Sequence, residues 1–234
     1  AEEIGVSVVS LVGGEPLIRR NEVMELARSF PRILFTLNTN GMLIDEDMAA
    51  ELAGCVNLVP FISLEGFKKE TDSRRGQGVY DRVIAACSLL NTRLLFFGCA
   101  VTVSRNTISE VLDESFIRSM IGAGARAFIF IQYVPAEPGT EYLVPTPEQR
   151  RLLIACMDEF NRKYPAFFIG IPGDMEIFDG CLAAGRGFVH VNPYGDLEPC
   201  PVVPLSDANL RTVPLREALQ SRLLQAIRRN HSSL

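Results

Sequence analysis

A chain of 234 residues, 47% hydrophobic and 22% charged, has room for one sizeable core or a core plus an appendage. Its formal net charge of −5 comes without a long basic block, which excludes nucleic acid as a main partner, because phosphate binding needs clustered Lys and Arg. The apolar run 94–103 is too short to span a bilayer, so no membrane partner is expected. Six cysteines without regular spacing point to a reducing cytoplasm rather than a secreted disulfide framework.

In chain order, apolar strands and amphipathic helices alternate. Strands are expected over residues 5–11, 32–37, 57–62, 94–103 and 127–132, with a sixth over 167–171. They are rich in Val, Ile, Leu and Phe with little alternation, as parallel strands covered on both faces require. Val23, Leu26, Ala27 and Phe30 form the stripe of a first helix, which Pro31 ends. Asp45 caps a second, with Met48 and Leu52 inside and Gly54 closing it. Tyr80, Val83, Ile84, Cys87 and Leu90 mark a third. Thr107 and Glu110 make a capping-box pattern for a fourth that runs to Gly122. Thr146, Pro147 and Gln149 open a fifth, with Leu152, Leu153, Cys156, Met157 and Phe160 inside.

This rhythm predicts an α/β fold with parallel strands, and both a doubly wound sheet and a TIM-like barrel fit it. The absence of Gly-x-Gly-x-x-Gly before the first helix weakens the dinucleotide-binding version. After Tyr164 the rhythm breaks. Residues 173–207 are rich in Gly, Pro and Asp, alternation around 192–196 predicts a hairpin, and a helix over 214–229 carries Leu215, Leu219 and Leu223. The domains expected are therefore a barrel-like body over 1–172 and a small hairpin-plus-helix extension over 173–234.

In either architecture ligands sit at the carboxyl ends of the strands. Here those ends are Gly13-Gly14-Glu15, Asn38-Thr39-Asn40-Gly41, Ser63-Leu64-Glu65-Gly66, Ser104-Arg105-Asn106 and Pro135-Ala136-Glu137-Pro138-Gly139. Any one of them taken singly is more simply a turn, since Asn, Ser, Asp and Gly populate turns anyway. Five in succession on one rim offer carboxylates, amides, hydroxyls and a guanidinium to a small ligand with cationic and anionic groups.

The order of the Gly-Gly-Glu-Pro turn, Thr39-Asn40-Gly41, Ser63-Leu64-Glu65-Gly66, Arg75-Gly76 and Val101-Thr102-Val103-Ser104-Arg105-Asn106 resembles the radical S-adenosylmethionine superfamily, from the start of the chain to about Gly139. The resemblance implies a partial (β/α)6 TIM-like barrel that holds S-adenosylmethionine against a four-iron–four-sulfur cluster. It implies reductive cleavage of that cofactor and abstraction of a hydrogen atom from a peptide or small-molecule substrate. Gly13, Gly14 and Glu15 match the turn that receives the cofactor's α-amino group. Asn40 joins them from the next turn. Ser63 and Arg75 match the groups that hold its carboxylate or ribose, Glu65 stands where the family often has Asp, and Ser104, Arg105 and Asn106 match the next rim position. For Arg75 and Arg105 an ordinary surface arginine is an equally good reading.

The family's cluster motif, CxxxCxxC, is absent, because no two of the six cysteines have that spacing. It belongs before the Gly-Gly-Glu-Pro strand. The expectation is a fragment lacking the first βα unit, inactive and without a bound cluster, that self-associates through an exposed strand edge at 6–11. Cys181 and Cys200 flank the hairpin and resemble the opening of a SPASM or twitch extension, which implies an auxiliary iron–sulfur cluster in the parent enzyme. Two thiolates are too few to complete a four-iron cluster. Cys55, Cys87, Cys99 and Cys156 fit as core thiols, His190 as structural, and His231 has no role. The alternative is a non-catalytic nucleotide- or peptide-binding βα module. An unrelated barrel hydrolase or lyase is disfavoured by the lack of a nucleophile–base pair.

Overall fold

Apolar runs without alternation need cover on both faces, and the chain supplies helices between them. The computed structural model describes residues 1–135, 137–171, 183 and 186–229. They divide into two compact units, one holding residue 2 and Val6–Ile171, the other residues 1, 3–5 and Pro172–Leu234.

The larger unit contains strands β1 (Val8–Leu11), β2 (Leu34–Thr39), β3 (Leu58–Leu64), β4 (Gly98–Val103), β5 (Ala127–Gln132) and β6 (Phe167–Ile171). All five neighbouring pairs are parallel and the order is β1 to β6, so the sheet curls as part of a TIM-like barrel. Between the strands lie α1 (Arg20–Ser29), α2 (Glu46–Ala53), α3 (Lys68–Arg75), α4 (Val79–Thr92), α5 (Ile108–Val111), α6 (Glu114–Gly122) and α7 (Pro147–Lys163). Among the described residues no helix is long and apolar enough to cross a membrane.

The sheet's two faces differ. Phe35, Leu37, Ile62, Leu64, Val101, Val103, Phe128 and Phe130 belong to the main core with the helices. Each fully buried Leu or Phe there contributes roughly 1.5–3 kcal/mol. The alternate residues Val59, Phe61, Ala100, Ala127 and Ile129 form a separate small cluster on the other face. Gly98 makes that cluster possible, since a Cβ there would stand 2.4 Å from Cε1 of Phe61. Phe128 and Phe168 stack at 4.8 Å and Phe160 of α7 tilts against Phe168 at 5.4 Å, which fixes β5, β6 and α7 together.

Caps and breaks depart from the sequence in instructive places. Asp45 caps α2 through the Met48 amide, and Thr146 and Gln149 form the reciprocal capping box of α7. The expected fourth helix is two helices. The Thr107 side chain makes no cap bond, and Asp113 caps α6 instead through the Ser115 amide. Helix α3 was not expected at all. Leu152 is exposed while its neighbour Leu153 is fully buried.

The smaller unit holds the hairpin β7 (His190–Val191) and β8 (Leu197–Glu198), then α8 (Leu215–Ala218) and α9 (Arg222–Arg229). The expected single final helix is thus interrupted. Its core is Leu197, Ala218 and Leu224, with Leu215 and Leu219 packed alongside. Asn192 closes the hairpin turn, its Oδ1 accepting from the Tyr194 and Asp196 amides, and Gly195 takes φ +92° there.

Candidate functional site

Parallel pairing brings the carboxyl ends of β1 to β5 to one edge of the sheet. At the end of β1, Gly13 adopts φ +135°, a conformation that favours glycine, and nothing stands within 4 Å of where a Cβ on Gly13 or Gly14 would be. The ground above this turn is open.

Glu15 folds back from that turn. Its Oε1 accepts from the Leu17 amide at 3.0 Å and from Thr39 Oγ1 at 2.8 Å, and Oε2 accepts from the Asn40 amide at 2.8 Å. The carboxylate therefore caps the short 3-10 turn Pro16–Arg19 and pins the end of β1 to the end of β2. A carboxylate offers about four acceptor positions, so one on Oε2 is left for an ammonium donor. Asn40 uses its own Oδ1 on the Met42 amide at 2.8 Å.

At the end of β3, Ser63 is half-buried and its hydroxyl bonds to no described residue. Glu65, 2% exposed, accepts from Arg75 Nε at 2.9 Å and from Arg74 Nη1 at 2.8 Å. Arg75 is thus engaged with Glu65, and two guanidiniums share one carboxylate with one positive charge in excess. The Arg74 guanidinium also lies 5.6 Å over the Tyr133 ring. Arg74, Tyr133 and Thr39 are contributors that the sequence did not single out. The two arginines reach Glu65 only because α3 forms, and α3 has no apolar stripe to announce it.

At the end of β4, Ser104 is buried and meets Thr107 Oγ1 at 3.1 Å. Arg105 is stitched to the loop before α7, its amide donating to Leu143 O at 2.7 Å and its Nε to Val144 O at 3.0 Å. Asn106 is exposed, and its side chain bonds to no described residue. Beneath the Gly66 turn, Glu110 accepts from the Phe67 amide at 2.5 Å beside Glu70. Burial first, and then the neighbouring Glu70, hold the Glu110 carboxyl above the usual carboxylate range, against the pull of the Phe67 bond. Of the fifth turn, Ala136 lies outside the described residues, as does Cys181.

The described cysteines are spread across the fold. Cys55, Cys87 and Cys99 are buried in the main core region, Cys156 sits on α7, and Cys200 is buried in the smaller unit. Burial pushes the Cys87 thiol up to about 12 and Cys99 well up, as expected of neutral thiols packed in the core. Among the described residues no three His, Cys, Asp or Glu side chains are grouped to hold a metal. S-Adenosylmethionine is a different matter. An acceptor on Glu15, a Ser63 hydroxyl bonded to no described residue, the charge excess at Arg74 and Arg75 and the open turn at Gly13 suit its ammonium and carboxylate. In the smaller unit His190 Nδ1 pairs with Glu198 Oε2 at 2.7 Å, a structural pairing within the hairpin.

Residues 1–114 match the model of the Radical SAM superfamily. The AdoMet-dependent heme synthase of Methanosarcina barkeri is 28% identical over 244 residues, covering 92% of this chain and 68% of that protein. Mycofactocin maturase MftC of Mycolicibacterium smegmatis is 28% identical over 214 residues, 86% of this chain and 53% of that one. The structure of Streptococcus suis SuiB bound to S-adenosylmethionine is similar with a TM-score of 0.75 at 20% identity, over 94% of this chain and 56% of SuiB, a likeness of fold. The chain spans about two thirds of the first relative and about half of the second.

Proposed function

We propose that the chain is a member of the radical SAM superfamily and that its rim receives S-adenosylmethionine, with the ammonium at Glu15 and the carboxylate toward Ser63 and the Arg74–Arg75 pair. The observation that carries this reading is Glu15. Three donors hold its carboxylate rigidly at the rim, and one acceptor position remains beside the open Gly13-Gly14 turn. The family uses this cofactor to abstract hydrogen atoms, and the chain's own part is to bind it, orient it and wall off one side.

The substrate class we infer is a peptide. The mycofactocin maturase and the PqqA peptide cyclases among the relatives support it, as does SuiB, whose structure with the precursor peptide SuiA has the same fold. The inner wall offers Phe61, Ala100 and Ile129, suited to an apolar side chain. In this reading the chain by itself binds the cofactor without cleaving it, because no two of its cysteines have the CxxxCxxC spacing of the family's cluster motif. Cys181 and Cys200 belong to this reading only as ligands of an auxiliary cluster in a longer enzyme. A cytoplasmic setting suits the free thiols, and the unpaired edge of β1 suits self-association, which sedimentation at high concentration would reveal.

The test is anaerobic reconstitution with iron and sulfide, followed by calorimetric titration and a product assay. The reading expects S-adenosylmethionine and S-adenosylhomocysteine, which share the amino acid end, to bind alike, and expects no 5′-deoxyadenosine. Cleavage by the chain alone would refute the inactive reading. Failure of both ligands to bind would favour a module for a different nucleotide or a peptide.

A further inference from the structure

The end of α4 closes in an unusual way. The Leu95 amide donates to Leu90 O at 3.1 Å and the Leu94 amide to Asn91 O at 2.9 Å, the paired bonds of a Schellman cap. Leu94 occupies the position just past the cap, at φ +55°, the non-glycine residue with positive φ among those described. Glycine usually takes that position because a left-handed backbone crowds Cβ against the carbonyl oxygen. No internal packing compensates the strain, since Leu94 is 92% exposed. Strain of this kind, kept without a packing reason, points outward to a contact surface.

A second observation lies beside it. Val56, just before β3, is 94% exposed. Val56, Leu94 and Phe96 line one groove of about 190 Å³ at the amino ends of β3 and β4, the end of the barrel opposite the rim. Among the described residues Arg93 is the only charged side chain lining it, no carboxylate does, and Arg93 forms no ion pair with any of them. Burial pushes the Cys55 thiol up, so the groove's sulfur stays neutral.

We propose that this groove docks a peptide segment that presents an aliphatic side chain next to a carboxylate. The aliphatic group would cover Leu94 and Val56, and the carboxylate would face Arg93, whose planar fork suits it. Two apolar side chains standing almost clear of the surface suit an extended partner better than an enclosed small molecule. The surface is independent of the cofactor rim and stands whether or not the rim binds S-adenosylmethionine.

The experiment uses the full chain with labelled Leu and Val methyl groups, titrated with two N-acetylated decapeptides, one of Leu and Glu and one of Leu and Lys, and with decanoate. The Leu–Glu peptide is expected to shift the Leu94 and Val56 methyl resonances, and the Leu–Lys peptide to leave them in place. Leu94→Gly should weaken binding of the Leu–Glu peptide about tenfold while leaving Tm unchanged or higher, because it relieves the backbone. Arg93→Glu should reverse the preference between the peptides. The proposal is overturned if neither peptide binds at millimolar concentration, if both bind alike, or if decanoate alone shifts these methyls. It is also overturned if Leu94→Gly lowers Tm or leaves binding intact.

Discussion

One oxygen of Glu65 meets a single guanidinium twice, accepting a hydrogen bond from Arg75 Nε at 2.9 Å and lying 2.7 Å from Nη2 in the ion pair. The other oxygen is held by Arg74. This arrangement fastens the end of β3 to the last turn of α3, and through Tyr133 to the end of β5. A carboxylate only 2% exposed is costly without partners, so the arginines differ in what they stabilise. Arg75→Ala should cost roughly 1.5–3 kcal/mol in urea unfolding, the range for hydrogen bonds to a buried charge. Arg74, half exposed, should cost less than about 1 kcal/mol. Equal losses for the two would contradict the assignment.

Gly98 is required by Phe61. An added Cβ would lie 2.4 Å from the ring and 2.7 Å from the Ala127 carbonyl oxygen. Gly98→Ala should therefore destabilise by about 1–3 kcal/mol. Combining it with Phe61→Leu should recover part of that loss, but not all, because the carbonyl contact stays. Full additivity in the double variant would show that the two positions do not meet.

Asn57 ties two neighbouring segments to the start of β3. Its Nδ2 donates to Ala27 O at 3.0 Å, Phe30 O at 3.2 Å and Ile33 O at 3.0 Å, gathering the end of α1 and the start of β2 onto β3. Asn57→Ala should cost about 1–3 kcal/mol, since these carbonyls lose their donor. Asn57→Asp should be worse at neutral pH than at pH 3, because a carboxylate repels carbonyl oxygens and its protonated form does not.

Glu110 gives a pH signature. Its folded-state value is raised, so its contribution to stability is full below the ordinary glutamate range of about 4.3 and is lost as pH rises through the raised value. Glu70 is lowered and runs the opposite way, its contribution present above that range and lost as pH falls. Tyr80 and Lys69 are the other titratable groups that act on the pair. Glu110→Gln keeps an acceptor for the Phe67 amide and removes the like charge, so it should stabilise the fold at pH 8 by roughly 0.5–1 kcal/mol. The gain should shrink as pH falls and the wild-type carboxyl takes up its proton. Stability curves of the two proteins that stay parallel from pH 4 to 8 would contradict this.

Much of the fold was legible because its strands are apolar throughout and its punctuation is chemical. β5 and β6 begin and end where the runs 127–132 and 167–171 do, and Asp45, Thr146 and Gln149 announce their helices by capping chemistry. What escaped has no apolar period. In α3 only Thr71 is buried, so its sequence reads as a solvated charge run. The stretch before β4 reads as strand from Leu94 because its residues are apolar, yet Leu94 and Leu95 close a helix through backbone bonds that composition does not show. At the rim, turn chemistry drew attention to Glu15 and Arg105, but their partners depend on distant segments. Thr39 reaches Glu15 across 24 positions, and the Arg105 amide meets Leu143.

The most direct test of the rim as a cofactor seat is anaerobic calorimetric titration of the chain with S-adenosylmethionine, set against 5′-methylthioadenosine, which lacks the amino acid end. The account predicts saturable one-site binding of S-adenosylmethionine, at least tenfold weaker binding of 5′-methylthioadenosine, and a matching loss for S-adenosylmethionine in Glu15→Gln with Tm recorded alongside. Equal affinity for the two ligands, or no saturable binding of S-adenosylmethionine, would contradict it.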